Sequence, residues 1–111
     1  MPMNQLLGIW LRGELPQSKL DRLREDLSLT RRGRLTDSED AEFGYRYLRD
    51  DAPDRVVLQL YRDDDSLWKL SLTYEGEPPS RETVDRIRRA ILKAASQHGL
   101  EVDRVWPSDG L

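Results

Sequence analysis

Glu14 and Glu77 hold matching places in a stretch that occurs twice. Gly13-Glu14-Leu15-Pro16 runs into Leu20-Asp21-Arg22-Leu23-Arg24, and Gly76-Glu77-Pro78-Pro79 runs into Val84-Asp85-Arg86-Ile87-Arg88. Brought together, two such carboxylates would suit acid and base work. Taken separately, each is an acid just ahead of a helix, where it complements the helix dipole by roughly 0.3–1 kcal/mol. The second explanation needs no chemistry and is preferred.

Two runs of aspartate, Asp50-Asp51 with Asp54 and Asp63-Asp64-Asp65, offer oxygen ligands for a hard cation. The residues between them read as a strand, which at about 3.3 Å per residue keeps the runs roughly 25 Å apart. Neither has the glycine and closing glutamate of an EF-hand loop. They are read as hairpin turns. His98 is the only histidine and cysteine is absent, so a zinc site and thiol chemistry are not expected. No G-x-S-x-G elbow accompanies the histidine. No metal and no cofactor is expected, and the chain is read as not an enzyme. Scattered carboxylates in a pocket remain the enzymatic alternative.

Basic residues form two groups. Arg86, Arg89 and Lys93 fall on one stripe of a helix, and Arg31, Arg32 and Arg34 lie in a polar connection. Together they could touch phosphates. The net charge of -3, with acids and bases interspersed, lacks the strong basic excess usual in nucleic-acid binders. Fifteen of the eighteen basic residues are Arg, which suits fixed ion pairs but is put down first to the nucleotide composition of the source genome.

The elements that position these groups are legible from periodicity. Leu6 to Arg12 alternates as a strand with apolar groups on both faces, which suits an inner strand. Pro16 suits a first helical turn, and Leu20, Leu23 and Leu27 make a narrow apolar stripe over a helix from Gln17 to Ser28. Asp21, Arg22, Glu25 and Asp26 are assigned to its solvated side. Residues 29–42 form a polar connection, with a short edge strand expected around Arg34 to Thr36. Three strands follow, with Phe43, Tyr45 and Tyr47 on one face of the first, Val56, Leu58 and Leu60 on one face of the second, and Trp68, Leu70, Leu72 and Tyr74 on one face of the third. Loops of four to five residues make this a meander of hairpins. Ser80 is the expected N-cap of a second helix, Arg81 to His98, with Gly99 as its stop. Glu82 with Arg86 and Asp85 with Arg89 are expected i, i+4 pairs, worth roughly 0.2–0.5 kcal/mol each. Val102 to Trp106 is a last strand, and 107–111 a loose tail.

With only 37% hydrophobic and 35% charged residues over 111, the core must be small and the chain, 1–111, a single domain. The expected class is α+β, a two-layer sandwich. Its mainly antiparallel five-stranded sheet has two helices on one face, in the order β-α-β-β-β-α-β, a relative of the ferredoxin-like arrangement with one added strand. The Met1 to Trp10 segment lacks a basic start, and no apolar run nears the roughly 20 residues of a membrane span, so a cytoplasmic protein with no membrane partner is expected.

If the helices cover Leu7, Ile9, Leu58, Leu60, Leu70 and Leu72, the other sheet face presents Trp10, Arg12, Gln59 and Tyr61, beside Val57, Lys69 and Ser71. Aromatics with arginine on such a face suit protein contact or the stacking of single-stranded bases, for which no RNP motif is present; the plainer explanation is packing under the long polar connection or a dimer seam. The leading expectation is a small non-enzymatic protein-interaction module, a regulator, adaptor or inhibitor-type partner. Its partner is another protein or a second copy. The alternative is a nucleic-acid-binding domain using Arg31, Arg32, Arg34, Arg86, Arg89 and Lys93.

Overall fold

The structure, a computed structural model, describes residues 4–31, 42–51, 53–64 and 66–107. Strand β1 (Asn4–Arg12) carries apolar side chains on both faces and lies inside the sheet, between two neighbours. It is followed by α1 (Gln17–Asp26), the two-residue β2 (Thr30–Arg31), β3 (Glu42–Asp51), β4 (Asp54–Asp64), β5 (Leu67–Glu75), α2 (Arg81–Gln97) and β6 (Glu101–Trp106). The sheet order is β2-β3-β4-β5-β1-β6, with every neighbouring pair antiparallel. Setting β2 aside, this is the expected α+β arrangement of a five-stranded antiparallel sheet and two helices. The short edge strand is Thr30–Arg31; the place expected for it, residues 34–36, lies outside the described residues.

β5 and β6 both run antiparallel to β1, so they are parallel to each other and α2 carries the chain across β1 between them. By the same reasoning β2 is parallel to β1, but β5, β4 and β3 stand between. Both helices pack on one side. Leu20 and Leu23 of α1, and Ile87, Ile91, Ala94 and Ala95 of α2, join Leu7, Ile9, Leu11, Leu58, Leu60, Leu70 and Leu72 in one buried cluster.

Each helix ends in a Schellman motif. For α1 the left-handed residue is Ser28, at φ 57°, and Leu29 N–H donates to Arg24 C=O at 2.8 Å. The helix therefore stops at Asp26, short of the predicted end. For α2 it is Gly99, at φ 70°, with Leu100 N–H donating to Ala95 C=O at 2.9 Å. Leu29 and Leu100, next in sequence, are buried in the core. At the start of α2, Thr83 N–H donates to Ser80 Oγ at 3.2 Å, the expected cap.

The repeated corner is built alike on both occasions. Gly13 (φ 148°) and Gly76 (φ 80°) supply backbone angles that side-chain-bearing residues rarely adopt. The first corner is tied to the β4–β5 turn by Gly13 N–H donating to Ser66 C=O at 2.9 Å. The second is tied to the β3–β4 turn, where Asp54 Oδ1 accepts from Glu77 N–H at 2.9 Å and Arg49 donates to Glu77 C=O at 3.0 Å.

Three local readings are corrected. The hairpins are tighter than four- or five-residue loops, because Asp50 pairs with Arg55 and Asp51 with Asp54 within the ladder. On β3 the register skips Phe43, since Glu42 faces Tyr61 and Gly44 faces Leu60. This bulge sends Phe43 into the core and places Tyr45 and Tyr47, opposite Gln59 and Val57, on the other face. On the helices, Asp85 pairs with Arg88 at 3.0 Å rather than with Arg89, and Asp21 is partly buried, accepting from Gln17 at 3.1 Å and from Arg24 at 3.3 Å.

Candidate protein-interaction face

The sheet face that neither helix covers is laid out by the strand register. One row across it runs Glu42, Tyr61, Lys69, Trp10 and Arg104; the next runs Tyr45, Gln59, Ser71, Gly8 and Trp106. Trp10, Gln59 and Tyr61 thus share this face. Arg12 closes the Trp10 side, and its Nε donates to Asp103 Oδ1 at 3.1 Å between two exposed side chains.

Trp10 is only 9% exposed. Its ring leans over Gly8, where a Cβ would lie 3.0 Å from the Trp10 Cζ3. The side chains from the two neighbouring strands flank it, with Lys69 Nζ 4.7 Å and the Arg104 guanidinium carbon 4.0 Å from the ring. Trp10 is therefore a floor rather than a projecting anchor. The projecting aromatics of this face are Trp106, 47% exposed, and Tyr47, 49% exposed. Sequence reasoning did not place these two here. For Tyr47 the missing signal was the bulge, for which Gly44 inside a strand pattern is the available cue. For Trp106 alternation with Val105 would have sufficed.

Gln59 and Tyr61 are half-buried. Gln59 Nε2 donates to Glu42 Oε2 at 2.6 Å. Burial raises the Tyr61 pKa above its ordinary value, and the nearby Glu42 carboxylate raises it further. A raised folded-state pKa means that the folded protein holds this proton more tightly than the unfolded chain. That stability is fully present below the unfolded pKa, about 10, and is lost as pH rises through the folded value. Tyr61→Phe is expected to weaken the loss of stability in this alkaline window, with little change at neutral pH. Urea midpoints measured across the range check it; an unchanged alkaline slope contradicts it.

Among the described residues, the basic groups of the alternative are not brought together. Arg86, Arg89 and Lys93 are exposed on α2, with Arg86 3.8 Å from Glu82. α2 packs by β1 and β6, whereas Arg31 stands in β2 at the far edge. Four strand spacings of about 4.8 Å put β2 roughly 19 Å from β1. Arg32 and Arg34 lie outside the described residues.

The described carboxylates are likewise dispersed, and Asp65 lies outside the described residues. β1 and β5 are antiparallel, so their following corners sit at opposite ends of the sheet, and Glu14 and Glu77 are roughly 25 Å or more apart. Asp50 pairs with Arg55 at 3.4 Å, and Asp54 holds the second corner. His98 Nε2 lies 2.7 Å from Asp26 Oδ2, bridging the C-terminal ends of the two helices. Among the described residues no three His, Asp or Glu side chains gather closely enough to hold a metal ion, and no helix is long and apolar enough to cross a membrane.

Compared with known protein families and with curated proteins, the chain matches no family model and no curated sequence.

Proposed function

We propose that this protein is a small, non-enzymatic interaction module of the cytoplasm, a regulator, adaptor or inhibitor-type partner, which binds another protein on the sheet face that the helices leave uncovered. Trp10, Arg12, Gln59 and Tyr61 belong to that surface. The observation that carries the reading is the character of its projecting members: Trp106 with the exposed Arg104 on β6, and Tyr47 on β3 across the same face. Tryptophan, tyrosine and arginine are the residues that most often carry binding energy at protein interfaces. The sheet edges are poorer docking places. β2 offers two residues, and β6 is interrupted by a bulge at Asp103 and carries Glu101, Asp103 and Arg104.

Affinity purification from the expressing cells, quantified by mass spectrometry, tests this. A partner held by the wild-type protein and by Arg89→Glu should be retained roughly tenfold less by Trp106→Ala and by Tyr47→Ala. Equal retention by the face variants, with loss on Arg89→Glu, would refute it.

A second reading, nucleic-acid binding through Arg31, Arg32, Arg34, Arg86, Arg89 and Lys93, is favoured by one observation. Arg89 and Lys93 are exposed and have no carboxylate partner among the described residues. It ranks lower because Arg31, in β2, stands at the far edge of the sheet from β1 and β6, on which α2 packs. It requires binding that weakens steeply with salt.

A further inference from the structure

We propose that the groove between Trp10 and Trp106 takes an extended acidic peptide segment bearing a large apolar or aromatic side chain. This rests on the protein-partner reading and names the partner's chemistry. The groove has a volume of about 450 Å³ and is lined by Gln5, Trp10, Lys69, Arg104, Val105 and Trp106.

Charge decides the occupant. The lining holds two cations and no acid. Several other surface arginines have acids beside them, as in Arg12–Asp103, Arg55–Asp50, Arg86–Glu82 and Arg88–Asp85. Lys69 and Arg104 have no such partner among the described residues; what holds them is the Trp10 ring. A ring quadrupole orients a cation but leaves its full charge in place. In a chain of net charge -3, the groove is thus a local positive site that complements a carboxylate pair.

Shape and polarity add to this. Exposed Trp106 is a wall for an apolar side chain, with Trp10 as the floor. The Gln5 amide nitrogen is buried without a hydrogen-bond partner, above Gly8, and would donate to a main-chain carbonyl. From Gln5 to Trp10 the groove follows β1 for roughly 16 Å, the length of about five extended residues. A single-stranded nucleic acid fits less well, because its repeating phosphates would run on past Glu101 and Asp103 of β6.

The three indole N–H resonances of the isotope-labelled protein give the test. Short synthetic peptides of Asp and Glu with one Phe or Leu are titrated in, alongside sequence-matched neutral peptides and a short single-stranded oligonucleotide. The acidic peptides should move the Trp10 and Trp106 signals and leave that of core Trp68 in place. Lys69→Glu and Arg104→Glu should each weaken binding roughly tenfold or more, while Arg104→Lys retains most of it. An unshifted Trp68 signal also reports that each variant is folded. Equal binding of the neutral peptides, indifference to charge reversal, or tighter binding of the oligonucleotide overturns the proposal. So does a Trp10 and Trp106 pair that no acidic peptide moves. That failure is separate from failure of the interaction face, which is read from partner retention by Trp106→Ala and Tyr47→Ala.

Discussion

Trp68→Ala should destabilise the protein by about 3–5 kcal/mol, the range for removing a large aromatic from a packed core. The indole is 1% exposed and meets Phe43 edge to face, with ring centroids 5.5 Å apart and planes at 75°. It is the largest fully buried side chain and joins β5 to the bulged end of β3. Its Nε1–H is buried with no hydrogen-bond partner. A buried donor left unsatisfied costs about 1–3 kcal/mol, so Trp68→Phe removes a liability as well as volume. Trp68→Phe should cost well under half of what the alanine substitution costs. Urea unfolding of both variants checks the pair. Equal losses would mean that the indole N–H has a partner whose loss phenylalanine cannot make good.

Arg24→Ala should cost a similar amount, about 3–5 kcal/mol, as when one member of a buried charged network is removed. Arg24 is 2% exposed, although it stands on a ten-residue helix among charged neighbours. The bulge on β3 explains why it is there. Phe43 has no partner residue across the β3–β4 ladder, and Arg24 Nε donates to its carbonyl at 2.6 Å. The guanidinium also donates to Asp21 Oδ1 at 3.3 Å and lies 5.9 Å from the Phe43 ring. Arg24→Met fills much of the volume but leaves the carbonyl and Asp21 without this donor. It should cost an intermediate amount, about 1–3 kcal/mol. If methionine is fully tolerated, the arginine acts by packing alone.

These two residues show where the fold was legible and where it was not. The apolar periods of β1, β4, β5 and α2 are unbroken, and each dictated its element and its buried face. The Gly-Glu-x-Pro corners were legible too, because a left-handed glycine before a proline leaves the chain few ways to turn. Arg24 was not, since a charged residue on a charged helix reads as solvated; its burial depends on a carbonyl exposed by a bulge two elements away. The same bulge hid the true faces of Phe43, Tyr45 and Tyr47, because one extra residue inverts everything beyond it. For the candidate site, the register correctly grouped Trp10, Gln59 and Tyr61. It could not show that Trp10 lies down between Lys69 and Arg104, which depends on the room above Gly8.

The proposed partner contact lies on the uncovered sheet face. Site-specific photo-crosslinking in the expressing cells reads this most directly, with the photoreactive side chain placed at Trp106, at Tyr47 or, on the opposite side, at Arg89 of α2. One protein should be trapped from both sheet positions, through an acidic segment, and not from Arg89. Trapping from Arg89 alone, or of nucleic acid in place of protein, would contradict it.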